Sequence, residues 1–231
     1  RQDFVASHRL RRFDHRDGER LESVARRLGA AWQVVDVCDA AAVRQSVDAC
    51  VTRFGGIDGV ISNAGAAAQG AMHEVDDDVL RKSFEINLFS HHTLAAAATR
   101  VMHAQGTGGF LLFNASKAAF NPGAGFGPYA VPKAAVVALM KQYALDNGHV
   151  GIRANAINAD RLRTGMFSPA FVEERAAARG LEPDAYFRSN LLSREVRAEH
   201  VAQAMLNLAL APSTTGCVVT VDGGNIAASP R

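Results

Sequence analysis

Short apolar, strand-like runs alternate with helical patterns along almost the whole chain, and that rhythm leaves few folds open. WQVVDV (32–37), DGVISN (58–63), GFLLFNAS (109–116), IRANAI (152–157) and CVVTV (217–221) read as strands. Helical spacing covers 17–29, about 40–54 after Asp39, about 77–102, about 128–146 and 198–210. Strands separated by helices must cross over in parallel. Strands that are apolar throughout need cover on both faces. The chain is therefore expected to be an α/β protein with a doubly wound parallel sheet, one domain without repeat or linker. RLRRFD (9–14) is read as an early, oddly charged strand.

Residues 160–197 break the rhythm with two short helical pieces and two prolines, Pro169 and Pro183. The stretch follows the carboxyl end of a strand, where open α/β sheets bind ligands. It is read as a substrate lid, with a plain insertion as the alternative.

The 231 residues are 48% hydrophobic and 21% charged, which suits a single α/β domain. No run of about 18 apolar residues is present to span a membrane. RQDFVASHRLRRFDHRDG has no apolar core of the signal-peptide kind. Cys38, Cys50 and Cys217 show no metal-ligand spacing and read as reduced thiols, so a cytoplasmic location is expected. A formal charge of +2 points away from nucleic acid as a partner. The histidines show no H-x-x-x-H spacing, and the adjacent His91 and His92 diverge on a helix, so no metal is expected.

Candidate chemistry gathers in SKAAFNPGAGFGPYAVPK (116–133), which joins a hydroxyl, a Gly/Pro-rich loop, Tyr129 and Lys133. Residues four apart share a helix face, so the phenol and the ammonium should meet. A fixed cation favours a phenolate, and a phenol of pKa about 10 needs that help to move protons near neutrality. Chance occurrence on an amphipathic helix is the alternative. Asn63-Ala64-Gly65 follows a strand, where small residues allow a ligand close to the backbone and Gly65 tolerates positive φ. Asp36 ends another strand and can accept from an adenine amine, with a turn or cap role as the alternative. Asn87 sits inside a helix that it does not favour, which suggests a local distortion that holds a water. VDGG (221–224) ends the last strand in a tight turn.

In this order the pieces resemble the short-chain dehydrogenase/reductase family over about residues 9–231. The resemblance rests on DVCD (36–39), NAG (63–65), Asn87, Ser116 thirteen residues before Tyr129, YAVPK (129–133) and VDGG (221–224). It implies a Rossmann-type sheet, NAD or NADP as cofactor, and a small-molecule alcohol or carbonyl substrate. It implies Tyr129 as general acid/base, with Lys133 lowering its pKa and holding the nicotinamide ribose. Ser116 would bind the substrate oxygen, and Asn87 would support a relay water. Asn63, Ala64 and Gly65 would line the adenine ribose side, and Asp36 with Val37 the adenine. Assembly as a homo-dimer or tetramer through helices 77–102 and 128–146 is also implied.

A narrower resemblance lies in NADRLRTGMF, EERAAARGLEPDAYF and VDGGNIAASPR. These are similar to the dehydrogenase module of bifunctional rhamnulose-1-phosphate aldolase/short-chain dehydrogenases. That implies an upstream aldolase domain and a sugar-derived substrate linked to lactaldehyde oxidation.

Two departures stand out. The first strand and the glycine-rich cofactor loop of the family are not found, since the first glycine is Gly18. Three explanations stay open: a piece of a longer protein, a truncated or mispredicted gene, or Phe4-Val5-Ala6 moved into the central slot. The acidic residue that selects NAD is sought among Asp14, His15 and Arg16, with Asp14 favoured and NAD with it. Ala159-Asp160 stands where the family has Pro-Gly. A non-catalytic assembly module that has lost its cofactor is the competing function.

Overall fold

The computed structural model describes residues 4–8, 16–166 and 168–225. Six strands run parallel: β1 (Phe4–His8), β2 (Ala31–Val35), β3 (Gly59–Ser62), β4 (Gly109–Asn114), β5 (Ile152–Ala159) and β6 (Val218–Val221). They form two hydrogen-bonded sets, β1-β2 and β3-β4-β5-β6. Helices fill every crossover: α1 (Arg16–Leu28), α2 (Ala40–Phe54), α3 (Asp77–Phe84), α4 (Ser90–Gln105), α5 (Gly127–Asn147), α6 (Pro169–Ala177), α7 (Pro183–Arg188) and α8 (Ala198–Leu210). This is the Rossmann-type α/β architecture that the alternation demands.

Local chemistry explains where the elements stop. Asp39 caps α2, its carboxylate accepting from Ala41 N and Ala42 N at 2.9 and 3.0 Å. Gly55 ends the same helix in the left-handed region at φ 81°. In β4 the alternate side chains serve opposite layers. Leu111 and Phe113 pack with Met102, Val136 and Met140 under α4 and α5. Leu112 faces the other way, onto Ile157 and the α8 residues Val201, Met205 and Leu208. A strand covered on both sides must be apolar on both faces, as this one is from Phe110 to Phe113.

One reading of the sequence changes. The first described strand is Phe4–His8, in register with Ala31–Val35. Phe4-Val5-Ala6 does not move beside β3, because β1 bonds to β2, and β3 ends its own set among the described residues. RLRRFD (9–14), and with it Asp14, lies outside the described residues, as does His15.

The long helix of 77–102 is interrupted as expected at Asn87. Glu85–Phe89 forms a π-helical turn between α3 and α4, and Asn87 is fully buried within it.

Buried Asn155 latches the last strand to the sheet. Its Nδ2 donates to Thr214 O at 2.8 Å, and its Oδ1 accepts from Cys217 N at 3.1 Å. Asn155→Ala strands both backbone partners, at a cost of about 1–3 kcal/mol. The loss is expected in urea unfolding, with faster amide exchange confined to 214–219. Unchanged stability and exchange would contradict it.

Candidate active site

The site begins with a proline inside a helix. Pro132 has no N–H to donate to the carbonyl four residues back, so Pro128 O is left free in α5. Ser83 fills that gap, donating from Oγ to Pro128 O at 2.7 Å. Asn87 in turn donates to Ser83 Oγ at 3.0 Å and to Ala66 O at 2.9 Å. Its Oδ1 accepts from Ala66 N at 3.1 Å. One chain of hydrogen bonds thus fastens the Tyr129 helix to the loop after Asn63-Ala64-Gly65. The side chain of Asn87 acts as a backbone clamp. Both its N–H donors are committed to protein partners. Sequence reading missed Ser83. The signal was present in the internal proline and in the S-x-x-x-N spacing.

Lys133 lies behind this clamp at 2% exposure. Its Nζ donates to Asn114 O at 2.8 Å and sits 3.4 Å from His91 Nε2. His91 is fully buried, with Nδ1 2.6 Å from Ser62 Oγ. Burial, and then the neighbouring Lys133, push its pKa well below the ordinary value. The expectation of diverging, packing histidines holds for His91, but its packing partner is the site's own lysine. Gly65 makes room for the group: a Cβ there would lie 3.1 Å from Asn87 Oδ1 and 3.2 Å from Lys133 Nζ. Gly65 is not among the residues with positive φ, so close approach, rather than backbone freedom, explains the glycine.

Tyr129 is 6% exposed and lies edge-on to Phe126, with centroids 6.5 Å apart. Burial raises the pKa of its phenol, and a hydrogen bond with the Ser116 side chain pulls it part of the way back. Ser116 also accepts from Ala118 N at 3.2 Å, which fixes its rotamer at the start of a short 3₁₀ turn. Ser116 and Tyr129 therefore converge. Lys133 Nζ stands 5.9 Å from the Tyr129 ring centroid and aims at Asn114 O. The expected lowering of the phenol pKa by Lys133 is not found. Burial drives the amine itself down to about 7.

Asn63, Gly65, Ser116 and Tyr129 line one cleft of about 620 Å³ at the carboxyl ends of the strands. Asn63 Oδ1 accepts from Asn114 Nδ2 at 2.7 Å, which ties its loop to β4. Asn87 and Lys133 sit behind the wall, and Ala64 is next to Gly65. Asp36 and Val37 follow β2, away from the lining. Asp36 Oδ1 accepts from Cys38 N at 2.9 Å, so a turn role is filled while its second oxygen remains. Burial, then Asp36, pushes the Cys38 thiol up to about 11.

Residues 160–197 form the outer wall through Met166, Phe171, Arg175, Tyr186 and Phe187. In place of Pro-Gly, Asp160 pairs with Arg161 at 3.1 Å and accepts from Asn225 Nδ2. Arg161 donates onward to Tyr186 O at 3.0 Å. The VDGG turn meets the same segment, with Leu191 N donating to Gly224 O at 3.0 Å and Leu192 N to Gly223 O at 3.1 Å. A Cβ on Gly223 would come within 2.7 Å of Asn190, which gives the paired glycines their reason.

The chain is similar to known proteins in sequence and in fold. A family profile described as enoyl-(acyl carrier protein) reductase matches residues 9–225. The uncharacterized oxidoreductase YuxG of Bacillus subtilis is 32% identical over 209 residues, which are 85% of this chain and 30% of that protein. The chain thus spans under a third of that relative's length. A short-chain type dehydrogenase/reductase from Mycobacterium ulcerans superposes with a TM-score of 0.83 at 26% identity, covering 96% of this chain and 80% of that one. Carveol dehydrogenase from Mycobacterium avium, solved in complex with NAD, gives a TM-score of 0.81 at 25% identity, covering 90% and 79%.

Lys133 makes stability depend on pH. Its folded pKa is about 7 against an ordinary 10.5. Between those values the unfolded chain binds more protons, so the site's contribution to stability rises with pH across that window. The cost of burying the charge is felt in full below pH 7. Relative to Lys133→Met, the wild type should gain urea-unfolding free energy from pH 7 to 10. Parallel curves for the two proteins would rule this out.

Proposed function

Since the chain belongs to the short-chain dehydrogenase/reductase family, we propose that it is an NAD(P)-dependent oxidoreductase of a small alcohol, with Tyr129 as general acid/base. The observation that carries the reading is that Ser116 and Tyr129 line one cleft wall backed by a buried lysine.

The fit of a dinucleotide rests on the chain's own residues. Gly65 leaves no space for a Cβ between the loop and Lys133. That brings backbone, amine and cleft together where a nicotinamide ribose would bind. Lys133 and Tyr129 would hold that ribose, Asn63 and Ala64 the adenine ribose side, and Asp36 with Val37 the adenine. A bound NAD(P) supplies the acceptor for the alcohol's hydride, and with it two electrons, becoming its reduced form. Ser116 Oγ holds the substrate oxygen, and Tyr129 Oη takes the hydroxyl proton as the carbonyl forms. The raised phenol pKa suits the reverse direction, with Tyr129 donating its proton to a carbonyl being reduced; to take an alcohol's proton the phenol must first lose its own. Asn87 acts on this chemistry from behind, by keeping the Tyr129 helix and the cofactor loop in register.

The finer reading is the dehydrogenase module of a bifunctional protein with an upstream aldolase, acting on a sugar-derived alcohol or aldehyde. Its support is the C-terminal motif resemblance and the short share of YuxG that the match occupies. NAD is preferred over NADP on the strength of Asp14. Residues 160–197 are assigned as a substrate lid. Arg161 and Ser193, both at φ 49°, are its strained turning points. A homo-dimer or tetramer through α4 and α5 is consistent with the exposure of Phe89, Val131 and Leu145. Among the described residues no helix is long and apolar enough to cross a membrane.

Tyr129→Phe keeps the buried ring and removes the proton carrier. Turnover of the full-length protein should fall about 10²–10⁴-fold, with its melting temperature retained. Turnover at the wild-type level would reject the assignment.

A further inference from the structure

The cleft wall carries more positive charge than a neutral alcohol needs. Lys117, Arg161, Arg175 and Arg179 line it, and Asp160 is the acidic residue among the lining groups. Arg161 is already matched. It pairs with Asp160 at 3.1 Å and donates to Tyr186 O and Ser189 O at 3.0 and 3.2 Å. The other three have no carboxylate partner among the described residues.

Their placement is specific. Lys117 directly follows Ser116 in sequence and is half-buried. The Arg175 guanidinium lies 5.2 Å from the Phe126 ring centroid, and Phe126 is the residue that abuts Tyr129. Arg179 lies 5.4 Å from the Tyr186 ring centroid, and its Nη1 donates to Arg175 O at 2.9 Å. Aromatic shelves hold both guanidinium groups near the cleft and limit the freedom they would lose on binding. Arg161, Arg179 and Arg175 are near enough to depress the Lys117 pKa, after burial, and Asp160 partly opposes them. Cations that repel one another in a half-buried wall favour an anion between them, and the guanidinium fork matches carboxylate and phosphate oxygens.

We propose that the compound oxidised or reduced in this cleft is itself an anion, a hydroxycarboxylate or a hydroxyalkyl phosphate, whose charged group is held by Lys117, Arg175 and Arg179. The assignment rests on the oxidoreductase reading for what happens to the hydroxyl, but not for the binding of the charge. Arg175 lies in α6, Arg179 just after it, and Lys117 in the 3₁₀ turn that follows Ser116. All three line the cleft with Ser116 and Tyr129, whereas Asp36 and Val37 are not in its lining.

The test uses the full-length protein in low-salt buffer with three related probes: glycerol, D-glycerate and sn-glycerol 3-phosphate. Thermal shift reads binding without turnover. The expected result is a rise in melting temperature with glycerate or glycerol 3-phosphate and none with glycerol. The anion with the larger rise identifies carboxylate or phosphate as the group. The rise should shrink at 0.5 M NaCl, and shrink again in Arg175→Gln and in Lys117→Gln, two variants on different elements. With NAD(P)⁺ present, the kcat/KM ratio of anion to glycerol should fall about tenfold or more in each variant, the equivalent of one charge-assisted contact. Equal shifts for glycerol and the anions would overturn the proposal. So would variants that raise the KM for NAD(P)⁺ and leave the anion shift intact, since the cations would then serve the cofactor. Anion-specific shifts without any hydride transfer would support the anion site and count against the oxidoreductase reading instead.

Discussion

An amine shut away from water governs this structure. Lys133 reaches the core side of the cleft wall, where Asn114 O accepts from it and an uncharged histidine lies against it. Among the described residues no carboxylate pairs with it, and burial drives its pKa to about 7. A lysine in that state is stable only if its surroundings are rigid, because any slack would admit water and restore its ordinary titration. The clamp from Ala66 through Asn87 and Ser83 to Pro128 supplies that rigidity on one side. The close-packed Gly65 supplies it on the other.

The same interaction sets what Tyr129 can do. The phenol touches Ser116 and lies beside, not against, the amine. Its pKa is raised by burial and eased by the serine hydroxyl. In this state a phenol whose pKa burial raises stands beside an amine near neutrality, whose Nζ is 5.9 Å from the phenol's ring centroid. A ligand that bridges them has a proton donor and a proton acceptor within reach at physiological pH. Proline at position 132 is part of this arrangement. By freeing one helix carbonyl it gives Ser83 its anchor, and so ties the catalytic helix to the loop of β3.

Much of the fold was legible because strand and helix periods leave different marks. Asp39 as a cap, the break at Asn87 and the 198–210 helix follow from local residue chemistry and were read as such. Ser116 and Tyr129 were legible from their spacing. The state of Lys133 was not, because spacing gives direction and says nothing of desolvation. Ser83 and His91 were missed for a related reason: each works through a partner more than 40 residues away, at Pro128 and Lys133. The cationic wall was hidden too, since Lys117 and the α6 arginines are separated by a whole crossover and meet only in the folded chain.

The lid segment joins these parts. Its arginines face the cleft on aromatic supports, and its far end is bonded to the VDGG turn through Leu191 and Leu192. Asp160 and Arg161 secure its near end to Asn225 and Tyr186. The cationic wall, the 160–197 segment and the C-terminal turn are thus tied to one another. The most direct measurement is an NMR titration of the Lys133 side chain, with ¹³Cε followed from pH 5 to 11 in the ligand-free protein. A midpoint near 7 is what burial beside Asn114 and His91 requires. A midpoint near that of a free lysine, about 10.4, would contradict the account.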